Sequence, residues 1–197
     1  MLAGIEPAFS AGLKIKINAV AMHGGFETEV DDLIRFAHGQ GMDLTLIEEM
    51  PLGDVSHDRR ESHLSLTDLR HRLSGRWTLT PLPDRTGGPA RYMRVAETET
   101  GGRLGFITPL SCDFCAGCTR LRVSATGELF TCMGEEGSVG LRDVLRSGES
   151  DQVLEARILD AVSRKPEGHA FRISSSGWRE SPAPCPISEA ETCTLPS

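Results

Sequence analysis

Leu13-Lys14-Ile15-Lys16-Ile17-Asn18-Ala19-Val20 decides how the start of this chain is read. Apolar and polar residues alternate through it and β-branched side chains recur, the pattern of a half-buried strand. Residues 26–40 follow with Val30, Leu33, Ile34 and Ala37 at helical spacing, and Gly39 and Gly41 end that helix. Asp43-Leu44-Thr45-Leu46-Ile47 then reads as a second strand. Strand, helix and strand joined by short connections make a βαβ unit, which implies a parallel sheet or barrel. In such folds ligands collect at the C-terminal ends of the strands, here near residues 20–22 and 48–50.

Further along, residues 65–70 open a short helix with a Ser or Thr cap. Residues 77–80, 91–95 and 103–107 read as short strands broken by glycine-rich turns. Residues 121–124 and 129–131 form a hairpin across 125–128, and 140–146 and 153–162 read as helices. Past Ile173 the sequence becomes rich in Ser and Pro and loses periodicity, so a disordered tail is expected at 174–197.

The 197 residues carry 21 basic and 28 acidic side chains, a net charge of −7. That balance argues against a nucleic-acid surface as the main role, while leaving room for a local basic pocket. A charged fraction of 25% beside 39% hydrophobic residues fits a packed core rather than an acidic disordered chain. No apolar run approaches the ~20 residues that cross a bilayer. The first seven residues, Met1-Leu2-Ala3-Gly4-Ile5-Glu6-Pro7, lack the basic and apolar regions of a secretory signal. A cytoplasmic protein with no membrane partner is expected.

Cysteine placement carries the chemistry. Four of the six cysteines, Cys112, Cys115, Cys118 and Cys132, lie within twenty-one residues, and Cys185 and Cys193 sit in the tail. In an unexported chain the spacing C-x2-C-x2-C-x13-C points to a metal centre rather than a disulfide framework. The first ligands would wrap a loop around the metal, and the fourth would return on the far arm of the 121–131 hairpin. Sulfur ligation of this kind suits zinc and an iron–sulfur cluster about equally. Beside Cys118 stand Arg120 and Arg122, which project together if this segment is extended, and paired guanidiniums form a bidentate anion clamp.

Phe114-Cys115-Ala116-Gly117-Cys118-Thr119-Arg120-Leu121-Arg122-Val123, followed by Gly127-Glu128-Leu129 and Cys132, resembles the C-terminal cluster motif of the MoaA family. These are GTP 3′,8-cyclases, radical S-adenosylmethionine (SAM) enzymes that open molybdenum cofactor biosynthesis. Lys14-Ile15-Lys16-Ile17-Asn18 resembles the family's lysine-bearing barrel strand, and Leu46-Ile47-Glu48-Glu49-Met50-Pro51-Leu52-Gly53 a late barrel strand. Arg85-Thr86-Gly87-Gly88-Pro89-Ala90-Arg91-Tyr92, Gly105-Phe106-Ile107-Thr108-Pro109-Leu110 and Arg164-Lys165-Pro166-Glu167-Gly168-His169-Ala170-Phe171 are further matches. The similarity covers roughly residues 2–173.

The resemblance implies an α/β fold. Residues 1–75 would be the last βα units of an incomplete parallel (β/α) barrel of the TIM-like, radical SAM type. Residues 76–173 would form a small α+β region with antiparallel strands that binds cluster and substrate. It implies a [4Fe–4S] cluster on Cys115, Cys118 and Cys132, with one iron left open to the guanine base and Cys112 a bystander. It assigns Lys16, Arg120, Leu121 and Arg122 to GTP and Met50 to SAM, and it gives no derivable role to His169. A family member also carries a C-x3-C-x2-C triad for its SAM cluster. Cys112 is the first cysteine here, so this chain by itself is expected to hold GTP without generating radicals. Its partners would be GTP and either an N-terminal radical SAM half or a homodimer mate. The competing expectation is a small zinc-binding module for protein or nucleic-acid contact. Among other residues, Gly87-Gly88 reads as a turn and Glu48 as a pocket-wall or salt-bridged carboxylate. His23, His57, His63 and His71 show no ligand spacing.

Overall fold

The computed structural model describes residues 2–50, 59–84, 86–98, 100–111, 115, 118–132, 137–169, 173–174 and 177–178. The described residues up to 111 belong to one compact unit, and those from 115 to 178 belong to a second.

The first unit opens with helix α1 (Ile5–Ser10) and strand β1 (Lys16–Ala21). Helix α2 (Phe26–Gly39) and strand β2 (Asp43–Glu48) complete the expected βαβ unit, with β1 and β2 parallel and Lys16 opposite Asp43. Gly41 sits at φ 72°, a left-handed turn that glycine adopts without a Cβ penalty, and this lets the chain leave α2 directly into β2. Short helix α3 (Arg59–Ser62) precedes α4 (Leu66–Ser74), whose cap Ser65 accepts a hydrogen bond from the Asp68 N–H at 3.2 Å. Strands β3 (Leu79–Pro81), β4 (Arg91–Val95) and β5 (Arg103–Ile107) follow.

These five strands form one sheet in the order β1-β2-β5-β4-β3. β1, β2 and β5 run parallel, whereas β4 pairs antiparallel with both β5 and β3, so the architecture is mixed α/β. Only residues 96–102 separate β4 from β5. A link that short can reverse direction but cannot make the crossover that parallel pairing needs. The antiparallel strands 79–107 thus extend the same sheet as the βαβ unit.

Register gives the sheet two chemically different faces. Ile17, Ala19 and Ala21 pair with Leu44, Leu46 and Glu48, and Leu44 and Leu46 pair with Leu104 and Phe106. These side chains share one face and pack with Val30, Ile34 and Ala37 of α2 and Leu66, Leu69 and Leu73 of α4 into the core. The opposite face carries Lys16, Asn18 and Val20, then Asp43, Thr45 and Ile47, then Arg103, Gly105 and Ile107, then Tyr92 and Arg94. Trp77, expected to begin a strand, instead closes α4. Its N–H donates to Leu73 O at 2.8 Å, and its indole Nε1 donates to Asp31 Oδ1 at 2.6 Å.

In the second unit, β6 (Arg122–Val123), β7 (Glu128–Phe130) and β8 (Val139–Gly140) form an antiparallel sheet, with Arg122 opposite Phe130. Gly127 turns the hairpin at φ 82°, and Ser124 Oγ accepts the Glu128 N–H at 3.1 Å. Helices α5 (Arg142–Arg146) and α6 (Asp151–Ser163) follow. Leu129, Leu141 and Ala161 are buried, with Val139, Leu154 and Ile158 packed on them. Within the segment expected to be a tail, β9 (Ile173–Ser174) pairs antiparallel with β10 (Gly177–Trp178); the other residues of 174–197 lie outside the described set. Among the described residues no helix is long and apolar enough to cross a membrane.

Candidate functional site

Lys16 opens β1 on the polar face of the first unit's sheet. Its ammonium donates to the Tyr92 hydroxyl at 3.4 Å, and Thr86 Oγ1 stands 3.0 Å from the same oxygen. Tyr92 lies over Gly105. A Cβ there would come within 2.9 Å of both Tyr92 Cε1 and Thr45 Oγ1, so only glycine lets the ring settle. Arg103 covers the ring at 4.8 Å from its centroid and is held by Asp43 at 2.6 Å and Asp84 at 3.2 Å. Burial pushes the Asp43 carboxyl up, but the hydrogen bonds and charge of Arg103 outweigh it and hold the group below its ordinary value. The result is a braced polar floor from which Lys16 presents a cation that is itself exposed. Thr86 and Tyr92 lie in a stretch that the resemblance marks, but neither they nor Arg103 carried a sign of contact with Lys16 or with one another. Their roles depend on pairing between strands far apart in the chain.

At the opposite end of β2, Glu48 and Met50 meet different fates. Met50 is half-buried just beyond the strand. Glu48 is 1% exposed, and its carboxylate accepts the N–H groups of Leu66 at 3.0 Å and of Leu110 and Ser111 at 2.9 Å each. It therefore holds the start of α4 and the turn after β5 through backbone donors. His63 stands near Glu48, Glu49 and Asp68. Burial drives its pKa below the ordinary histidine value despite those carboxylates. His23 faces Glu27 at 2.7 Å, and His57 lies outside the described residues. Gly87 has φ 72° and no neighbour crowding its Cβ position, the geometry of a turn.

The cysteine segment lies in the second unit. Cys115, Cys118 and Cys132 are all half-buried thiols, none of them joined in a disulfide. The Cys118 N–H donates to Cys115 O at 2.9 Å, a tight turn that keeps the two residues adjacent. Cys132 follows β7 by two residues and Cys118 precedes β6 by four. The antiparallel pairing of Arg122 with Phe130 therefore brings both cysteines to the same end of the hairpin. Burial raises the Cys118 thiol, but hydrogen bonds from the Arg120 backbone and guanidinium, with the charges of Arg120 and Lys165, hold it below the ordinary thiol value. Lys165 Nζ also donates to Cys118 O and Arg120 O at 2.8 Å each. Among the described residues no three His, Cys, Asp or Glu side chains already stand together as a metal site. Cys112 lies outside the described residues.

The donor chemistry fits a sulfur-ligated group. Cys118 and Cys132 flank one end of the hairpin with Cys115 one turn from Cys118, and two cations favour the thiolate form of Cys118 that metal ligation requires. The arginines are arranged differently from expectation. β6 begins at Arg122, so Arg120 lies outside the ladder, and its guanidinium turns back to Cys118. The β6–β7 ladder ends at the pairing of Arg122 with Phe130. Leu121 and Arg122 are exposed.

A family model described as Molybdenum Cofactor Synthesis C matches residues 42–171. The GTP 3′,8-cyclase of Rhizobium etli is 50% identical over 173 residues, covering 88% of this chain and 49% of that protein. The GTP 3′,8-cyclase of Rhizobium meliloti is 51% identical over the same shares. That of Erythrobacter litoralis is 54% identical over 183 residues, 93% of this chain and 54% of its own. The chain thus spans about half the length of the curated relatives it matches. The matched range holds both the βαβ continuation from Met42 and the whole cysteine hairpin, and the chain belongs to the Molybdenum Cofactor Synthesis C family.

Proposed function

We propose that this chain is the GTP-holding portion of a GTP 3′,8-cyclase in molybdenum cofactor biosynthesis. Cys115, Cys118 and Cys132 would hold a second [4Fe–4S] cluster. The observation that carries this reading is the Cys118 corner, where a half-buried thiol meets Arg120 and Lys165 one tight turn from Cys115. Bound there by three sulfurs, the cluster would offer one open iron to a purine donor atom. Arg120 and Arg122, with Leu121 between them, supply guanidiniums suited to forked contacts with phosphate, and Lys16 supplies a point charge. Met50, half-buried at the end of β2, would pack against SAM. Its soft thioether adapts to an irregular partner.

In this reading β1, β2 and β5 are the last strands of a barrel, working in the cytoplasm. A radical-generating half, or a second copy of the chain, completes it. The chain alone binds substrate without turning it over. Anaerobic reconstitution followed by iron, sulfide and zinc analysis tests the centre, and GTP titration by calorimetry tests the substrate. Iron with matching sulfide and saturable GTP binding are expected. Stoichiometric zinc without sulfide would show a structural zinc module instead, and a loaded cluster with no GTP binding would remove the substrate role.

A further inference from the structure

Lys165 lies outside every residue assigned above to cluster or nucleotide, yet its side chain reaches into the cysteine segment. Its ammonium donates to the carbonyls of Cys118 and Arg120 at 2.8 Å each and stands 3.7 Å from Cys118 Sγ. An ammonium has three donors and no acceptor, so this one corner engages its full capacity. The carbonyls of residues 118 and 120 both face the Lys165 ammonium. The ammonium thus grips this backbone just before β6 begins at Arg122. The anchor behind it is firm. Lys165 N donates to Val162 O at 3.0 Å at the end of α6, and α6 is seated through Leu154, Ile158 and Ala161 on Leu129 and Leu141.

We infer that Lys165 is a positioning residue: it clamps the 118–120 backbone so that the Cys118 thiol and the Arg120 guanidinium are presented together. The chain of support runs from the small core through α6 to the ammonium, and from there to the two backbone carbonyls. Lysine suits this task because its point charge reaches two carbonyls with no fixed fork geometry. The last consequence, an effect on nucleotide, rests on the function proposed above; the clamp itself does not.

Two arms separate these. In the metal-free full chain, amide hydrogen exchange at Cys118 is compared between wild type, Lys165→Met and Lys165→Arg, with α6 as the internal control. Loss of the ammonium is expected to speed exchange at Cys118 about tenfold, to leave α6 unchanged, and to be largely reversed in Lys165→Arg. In the reconstituted chain at matched cluster content, Lys165→Met is expected to weaken GTP binding about tenfold, with Lys165→Arg within threefold of wild type. Unchanged exchange at Cys118, or equal loss of protection across α6, overturns the clamp. If wild type takes up no iron and sulfide, the cluster reading falls while the exchange arm still decides Lys165. Unchanged exchange with weakened GTP binding also overturns the clamp, because the lysine would then act on the nucleotide directly.

Discussion

Replacing Glu48 with alanine removes the acceptor that three backbone N–H groups share. Those of Leu66, Leu110 and Ser111 all lie within 3.0 Å of its oxygens, and the residue is 1% exposed. A buried donor that loses its partner costs about 1–3 kcal/mol. The Leu66 N–H is buried and bears the full cost, whereas the two in the turn after β5 are partly exposed and recover some of it from water. The expected loss is therefore about 3–6 kcal/mol, a large share of the roughly 5–15 kcal/mol that holds a domain together. Glu48→Gln keeps one acceptor oxygen but points an NH2 at other donors, so it should fall between the two. The assay is urea unfolding followed by far-UV circular dichroism. At a slope of about 2 kcal/mol per molar, the alanine variant should lose about 1.5–3 M in midpoint. A midpoint within about 0.5 M of wild type would refute the claim that this carboxylate ties β2, α4 and the β5 turn together.

Three other perturbations test separate parts of the molecule. Asp43 is held below its ordinary value chiefly against the upward push of burial, by Arg103, so its contribution is fully present above the unfolded carboxylate pKa of about 4 and is lost as pH falls through the lower folded value. The melting-temperature gap between wild type and Asp43→Asn should accordingly stay constant from pH 7 to 5 and close below pH 4, and a gap that persists at low pH would contradict the pairing. Gly102→Ala places a Cβ 2.7 Å from Met42 O and 2.6 Å from His38 Cδ2, so it should destabilise by about 1–3 kcal/mol, whereas Gly88→Ala, with nothing within 4 Å, should be near neutral by thermal melt. Replacing Arg120 and Arg122 together with alanine should weaken GTP binding tenfold or more at unchanged iron content, measured by titration and metal analysis; loss of iron would instead assign the pair to holding Cys118.

The βαβ unit was legible because its signals are local. Val30, Ile34 and Ala37 mark one face of α2, and the alternation through β1 and β2 matches the observed register. Arg91–Val95 and Arg103–Ile107 were read at their observed bounds for the same reason. Trp77 misled because an aromatic next to threonine has strand propensity, while its actual place is fixed by Asp31, forty-six positions away. That 79–107 joins the sheet of the βαβ unit, with β5 parallel to β2, was hidden too, since propensity says nothing about which strand pairs with which. The candidate site divides in the same way. Cysteine spacing and the Arg120–Arg122 pair are visible in a line of text. Glu48's backbone donors, the Lys16–Tyr92 contact and the Lys165 bonds exist only once distant segments meet.

The two-faced sheet has one more consequence. Because facing residues alternate, a slip of one position between β1 and β2 would turn Lys16 and Asn18 under the helices and push Ile17 and Ala19 into water. No such molecule could bury its apolar layer, so misassembled chains should be lost to proteolysis or aggregation rather than survive as soluble protein with a misplaced cation. The same alternation that drives the chain to fold also proofreads the display of its lysine.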